Sequence, residues 1–239
     1  FLVALFFSLI VFNYYKSSIS SNSNKIWASF AKETAHQIGT PLSSLMGWST
    51  LLKEEKVDNK IIVEIEKDIE RLNTITKRFS KIGSIPELLK EDVNAVLNSS
   101  VNYLKKRSSS LVNFTFNPCR ETAFSPLNKT LFEWVIENLV KNSIDSMNGS
   151  GNIIISIFNN NNNEIKILVT DDGNGIPPKI QKKIFNSGFT SKKKGWGLGL
   201  SLSKRIINQY HNGKIFIKES DRKKGTTIEI KLPVFKENS

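Results

Sequence analysis

The sequence predicts an α-helical hairpin that pairs with a second copy of itself into a dimeric four-helix bundle, followed by an α+β two-layer sandwich. Three observations carry this reading. Apolar residues recur at steps of three and four through residues 25–84. Beyond residue 85, short strand-like and helical patterns take turns. Ahead of both lies "FLVALFFSLIVF", residues 1–12, in which Ser8 is the one polar residue.

That first run is short for a membrane span, which takes about 20 apolar residues. It lacks the basic start and small-residue cleavage site of a signal peptide. A buried core helix is one reading; the end of a transmembrane helix is the preferred one. Apolar residues lie on all its faces, Tyr14 and Tyr15 follow as an interfacial belt, and Lys16, Lys25 and Lys32 precede the first acid, Glu33. The chain begins at Phe1, not Met, and is expected to be part of something longer. Residues 1–15 are thus expected to end a transmembrane helix, and residues 16–24, "KSSISSNSN", to form a juxtamembrane linker.

Within residues 25–84, Ala31, Ala35, Ile38, Leu42, Leu45, Ser49 and Leu52 form a heptad seam. A helix of about 30 residues here is roughly 45 Å long. After a turn at 57–59, Ile62, Ile65, Ile69, Leu72, Ile75, Phe79 and Ile82 repeat the seam, and Gly83-Ser84 ends it. Two such helices make a thin core, so a homodimer is expected.

Residues 85–239 read as a separate domain. "EDVNAVLNSSVNYLKKR" and "LNKTLFEWVIENLVKNSIDSM" have helical patterns. "VNFTFNP", "NIIISIF", "EIKILVT", "KIFIKE" and "TTIEIKL" read as strands, and "GLGLSLSKRIINQY" as a helix. The five-Asn run Asn159–Asn163 is most simply a hairpin loop. This order predicts one sheet covered by helices on one face.

Composition narrows the function. The 239 residues carry a net charge of +12 and 39% hydrophobic residues, enough for a globular core. The single Cys119 rules out an intrachain disulfide framework and fits a reducing compartment. The "KIQKKIFNSGFTSKKKG" stretch holds six lysines and no acid. No zinc-finger spacing or RNA-binding aromatic signature accompanies this charge, so no direct nucleic-acid partner is expected.

Four segments of the second domain carry the chemistry. In "ENLVKNSIDSM", Asn138 and Asn142 share one helix face although Asn is a poor helix former. The Asn142 amide oxygen is a candidate ligand for Mg²⁺, which takes oxygen ligands beside phosphates. In "TDDGNGIP", a strand ends in an acid followed by Gly173 and Gly175. An Asp there can accept from an adenine amino group, with glycines letting backbone approach the ring. "IFNSGFTSKKKG" is a basic loop with Phe185 and Phe189. "GWGLGL" leads Gly195, Gly197 and Gly199 into a helix whose free N–H groups suit phosphate.

In this order and spacing, the four segments resemble the four boxes of the Bergerat (GHKL) ATPase fold. With "AHQIGTPLSSL", residues 35–45, upstream, the chain resembles a sensor histidine kinase of two-component signalling over residues 25–239. The resemblance implies ATP and Mg²⁺ as cofactors. It implies Asn142 as the Mg²⁺ residue, Asn138 as its companion, Lys141 approaching the phosphates and Asp171 reading adenine beside Gly173 and Gly175. Thr190 and Lys192 fall in a lid, ending at Gly195, Gly197 and Gly199. His36 matches the phosphoacceptor, just off the seam beside Ala35. Thr40, one turn on, matches the position that orients water for dephosphorylating a partner.

Two departures matter. Hydrolytic members of the superfamily resemble each other in a Glu four residues before the Mg²⁺ Asn; here that position is Asn138, with Glu137 one step off. Transfer to a protein group is therefore expected over steady hydrolysis. Many sensor kinases have an acid after the phosphoacceptor His, where this chain has Gln37. An amide supports the His less well than a carboxylate. Pro41 removes a helical hydrogen bond to the Gln37 carbonyl, which predicts a local bend. His211, before Asn212-Gly213, reads as structural.

The expected function is autophosphorylation of His36 from Mg-ATP and transfer to an Asp of a response regulator receiver domain. The expected location is the inner (cytoplasmic) membrane, reached through the N-terminal segment, with residues 16–239 in the cytoplasm. The alternatives are a regulator-directed phosphatase and a non-catalytic nucleotide-sensing dimer module.

Overall fold

The computed structural model describes residues 38, 41–53, 59–82, 86–160, 164–190, 197–222 and 224–236. The chain divides into two compact units, Phe1–Pro86 and Glu87–Ser239. Among the described residues no helix is long and apolar enough to cross a membrane. The expectations for residues 1–15, for His36, Gln37 and Thr40, and for the bend below Pro41 lie outside the described residues.

In the first unit, residues 41–53 form helix α1 and Asn59–Ile82 form helix α2. Lys53 of α1 meets Glu66 of α2 at 2.6 Å, so the two helices lie side by side. Both side chains are well exposed, and such a pair contributes under about 1 kcal/mol. The burial that holds the hairpin follows the seam: Leu42 and Ser49 in α1, Ile62 and Ile69 in α2, each pair one heptad apart. The alternate seam residues stay open, with Leu45 at 43% and Leu72 at 38% exposure. Among the described residues, Leu45 and Leu72 are thus the seam positions left most open.

The second unit opens with strand β1, Leu89–Asp92, where the sequence pattern suggested helix from Glu91. Asp92 instead caps helix α3, Val93–Arg107, its carboxylate accepting the Asn94 N–H at 3.0 Å. Then follow β2, Val112–Asn117, β3, Phe124–Leu127, and helix α4, Lys129–Ser146. Strands β4, Gly151–Asn160, and β5, Glu164–Asp171, pair antiparallel, and β4 takes in Asn159 and Asn160, expected as loop, opposite Ile165 and Glu164. A short helix α5, Pro178–Gln181, precedes helix α6, Gly199–Arg205, which continues as a π-helical turn, Ile206–Tyr210. Strands β6, Lys214–Asp221, and β7, Gly225–Pro233, complete the unit.

There are two sheets where one was expected. The main sheet runs β2-β4-β5-β7-β6, and β1 pairs with β3 apart from it. Strand β2 is parallel to β4, and the other neighbours are antiparallel. A parallel pair needs a long crossover, and α4 lies within it. Alternation in β5 sends Ile165, Ile167 and Val169 inward, beside Ile153, Ile155 and Ile157 of β4. Leu131, Phe132, Val135, Ile136 and Leu139 of α4 are also fully buried, giving the two-layer core. Each such side chain contributes about 1.5–3 kcal/mol. On the other face Ile154 and Phe158 are exposed, so one face of the sheet is covered and one is open. The crossover helix also delivers the C-terminal half of α4 to the end of β5.

Candidate active site

Asp171, the last residue of β5, is buried at 7% exposure among three hydrogen-bond donors. Ser143 Oγ donates to its Oδ2 at 2.9 Å. Ser146 Oγ lies 3.1 Å from Oδ1, and the Gly173 N–H donates to the same oxygen at 3.0 Å. Both serines lie on the last turns of α4, so the crossover helix and the strand end are fastened through one carboxylate. The chain then turns back on α4, with the Asn174 N–H donating to the Ser146 carbonyl at 3.1 Å.

Glycines make this junction possible. A Cβ on Gly173 would lie 2.0 Å from Ser146 Oγ. Gly225, at φ +86°, brings the start of β7 so close that a Cβ would lie 1.9 Å from the Asp171 carbonyl oxygen.

Around Asp171 opens a cleft of about 650 Å³. Asn142, Ser143 and Ser146 of α4 line one side, and Thr226 and Ile228 of β7 line another. Ile176, Ile180, Ile184 and Phe189 supply apolar walls, with Gly197, Leu198 and Gly199 at the entry to α6. The Gly188 N–H donates to the Gly197 carbonyl at 3.1 Å and ties together the two ends of the basic loop. A mainly apolar cleft with a few converging polar groups suits a small planar ligand with a charged tail.

Of the sequence-predicted residues, Asn142, Asp171, Gly175, Thr190, Gly197 and Gly199 line this cleft, and Gly173 donates to Asp171. Lys141 instead pairs with Glu137 one turn back at 2.7 Å, and does not line the cleft. Asn138 lies beside the start of α6, about a van der Waals contact from where a Gly199 Cβ would stand. Its Nδ2 is buried with no hydrogen-bond partner among the described residues. His36, Gln37, Thr40, Lys192 and Gly195 lie outside the described residues.

Sequence reasoning missed Ser143 and Ser146. Their spacing of three along one helix face was visible, but serine is too common for that to point to a carboxylate. It also missed the part of Asp172. That exposed carboxylate accepts the Asn152 backbone N–H at 2.9 Å and its side-chain amide at 2.6 Å. These bonds hold its pKa below the usual carboxylate value and pin the start of β4 to the end of β5.

A Mg²⁺ ion is compatible with this donor set. Among the described residues no three His, Cys, Asp or Glu side chains gather into a metal cluster. Mg²⁺ commonly takes few protein ligands and shares phosphate oxygens and waters, which suits one amide oxygen from Asn142 on the cleft wall.

Comparison with known proteins agrees with both units. Residues 27–85 match the His Kinase A (phospho-acceptor) domain, and residues 128–236 match the histidine kinase-, DNA gyrase B- and HSP90-like ATPase. Over 92% of its length the chain is 31% identical to sporulation kinase D of Bacillus subtilis, covering 44% of that protein. Over 84% it is 28% identical to the signal transduction histidine-protein kinase AtoS of Escherichia coli, covering 34% of it. The chain thus spans less than half the length of these two relatives. The solved catalytic domain of histidine kinase ThkA superposes with a TM-score of 0.57 at 27% identity, covering 62% of this chain and 97% of that one. The phospho-acceptor match followed by the ATPase match, on a fold whose cleft gathers Asn142 and Asp171, places the chain in the sensor histidine kinase family of two-component signalling.

Proposed function

We propose that the chain is the kinase portion of a membrane-anchored sensor that transfers the γ-phosphoryl group of Mg-ATP to His36 and then to an Asp of a response regulator. The observation that carries this reading is the buried Asp171 carboxylate in one cleft with Asn142, with Thr190 and Gly197 also on its wall. In this reading Asp171 accepts from the adenine amino group while Ile176, Ile180 and Phe189 enclose the ring. Backbone N–H groups entering α6 meet the phosphates, and Thr190 and Lys192 close over them. Asn142 would hold Mg²⁺, which would supply positive charge against the phosphates.

Neutral His36 attacks the γ-phosphorus from one ring nitrogen, and the bond from that phosphorus to the ADP oxygen breaks. The other ring nitrogen is oriented by a hydrogen bond to its neighbour, here Gln37. The chain's part in catalysis is positioning and exclusion of water more than covalent chemistry. A second copy of the chain covers the open Leu45 and Leu72 row to complete a four-helix bundle. The apolar run at residues 1–12 anchors the protein at the membrane, with the kinase units on the cytoplasmic side.

Incubation with γ-labelled ATP tests this directly. The wild type is expected to acquire acid-labile label, lost in His36→Ala and in Asn142→Ala. Label that survives in His36→Ala overturns the assignment of the phosphoacceptor. Gln37 in place of an acid, with Thr40 at the position that orients water in the family, favours a second activity, dephosphorylation of the regulator. Faster loss of label from a phosphorylated regulator with the wild type than with Thr40→Ala would support it.

A further inference from the structure

We infer that Ser143 and Ser146 are positioning residues that leave Asp171 a single acceptor position, and so set the base selectivity of the cleft for a 6-amino over a 6-oxo purine. This rests on reading the cleft as the ATP site. A carboxylate accepts hydrogen bonds at about four positions and donates none. Donors stand at three of them in Asp171: Ser143 Oγ at 2.9 Å on Oδ2, the Gly173 N–H at 3.0 Å on Oδ1, and on Oδ1 also Ser146 Oγ at 3.1 Å, which shares its one proton with the Ser143 carbonyl. One position remains, on Oδ2, the oxygen that Ser143 alone holds. Asp171 has no ion-pair partner among the described residues, so its orientation is set by these neutral donors.

The two serines are unequal. Ser146 has one hydroxyl proton for two acceptors, Asp171 Oδ1 and the Ser143 carbonyl at 2.9 Å. Ser143 is 5% exposed, and its hydroxyl donates to Asp171 Oδ2. The space for this arrangement is specific, because a side chain at Gly173 would collide with Ser146 Oγ. A carboxylate held at three positions meets an amino group with its fourth. It sets lone pair against lone pair when the base carries a carbonyl there. A site built to pair with a donor rejects a ligand lacking it far more strongly than apolar contact can. Without the serine hydroxyls the carboxylate is free to turn and to take water, and that rejection weakens.

The test is calorimetric titration of the full chain with ATP and with inosine triphosphate. Wild type, Ser143→Ala, Ser146→Ala, the double variant and the hydroxyl-retaining Ser143→Thr are compared. The wild type is expected to prefer ATP strongly. The ratio of the two affinities should fall about tenfold in Ser143→Ala, the loss of one charge-assisted bond. It should fall further in the double variant and recover in Ser143→Thr. Equal weakening of both nucleotides in Ser143→Ala, or no change in either, overturns the inference, since a merely structural role leaves the ratio unmoved. Should Ser143→Ala fail to fold, Ser146→Ala carries the same test: a lowered ratio supports the inference and an unmoved ratio overturns it. A wild type that binds neither nucleotide overturns the reading of the cleft itself, and this inference with it.

Discussion

His211 Nε2 accepts the backbone N–H of Asn128 at 3.0 Å, joining the end of the π-helical turn to the start of α4. The ring is fully buried, and its Nδ1 lies 2.9 Å from the Ile206 carbonyl oxygen, which places the one ring proton on Nδ1. Burial holds the imidazole pKa below its usual 6.5, opposed by the bond to Ile206. The folded state therefore refuses a proton that the unfolded chain accepts. This contribution to stability is complete above pH 6.5 and is lost as pH falls from there toward the folded pKa, at up to about 1.4 kcal/mol per pH unit. Urea unfolding at pH 7.5, 6.5 and 5.5 checks it. His211→Gln is expected to lose about 1–3 kcal/mol at pH 7.5 and to show a shallower decline with acid than the wild type.

Two glycines should respond oppositely to Ala. At Gly225 a Cβ would meet Asp171 backbone at φ +86°, and backbone cannot step aside. Gly225→Ala is expected to cost about 2 kcal/mol or more, from left-handed strain and overpacking, and to weaken ATP binding by displacing Asp171. Gly47, within α1, has nothing within 4 Å of its Cβ position. Gly47→Ala is expected to stabilise the helix by about 1 kcal/mol. Thermal melts of both variants check the two signs; a fall in Tm for Gly47→Ala would mean that another surface covers that position.

What could be read in the sequence follows from how each signal is encoded. Strand β5 announced itself through Ile165, Ile167 and Val169, because period-two alternation is the consequence of one buried face. Asp171 and Asn142 were legible through the order and spacing of the four segments that carry the family resemblance, since an Asp-Gly turn or two Asn on one helix face says little alone. Strands β1 and β3 were not legible. "LKED" and "FSPL" are four residues each, too short to alternate, and Asp92 looked helical because its cap belongs to the helix it starts. The π-helical turn left no trace because Ile206 and Ile207 are buried as an α-helical pattern also demands. Ser143 and Ser146 became visible only when the fold brought β5 against α4. In α1 and α2 the seam was legible, yet among the described residues Leu45 and Leu72 on it stay open.

That partly open seam predicts a dimer that can be weakened without touching the cleft. Leu45 and Leu72 are the open seam residues, while Leu42 and Ile69 are buried within one chain. Two-fold pairing would cover four such leucines, at roughly 1 kcal/mol each for the area newly removed from water. Leu45→Lys with Leu72→Lys is therefore expected to raise the dimer Kd about 10²–10³-fold. Sedimentation velocity across a concentration series reads this, and calorimetry should find ATP affinity unchanged.

Gln37 offers the sharpest test of the phosphotransfer chemistry, because it is the residue next to His36 where a carboxylate would serve better. In the proposed transfer, positive charge would develop on the His36 ring as it attacks. A Gln amide oxygen accepts the proton-bearing ring nitrogen but brings no charge of its own. Charge-assisted hydrogen bonds are about twice as strong as neutral ones, which leaves roughly 1–2 kcal/mol of transition-state support unrealised. Gln37→Glu is therefore expected to raise the autophosphorylation rate about tenfold in a single-turnover assay with γ-labelled ATP. The gain should appear in the rate and not in ATP affinity, since the cleft around Asp171 lies in the second unit. An unchanged rate with normal ATP affinity would show that a different group, such as Glu33, already supports the ring.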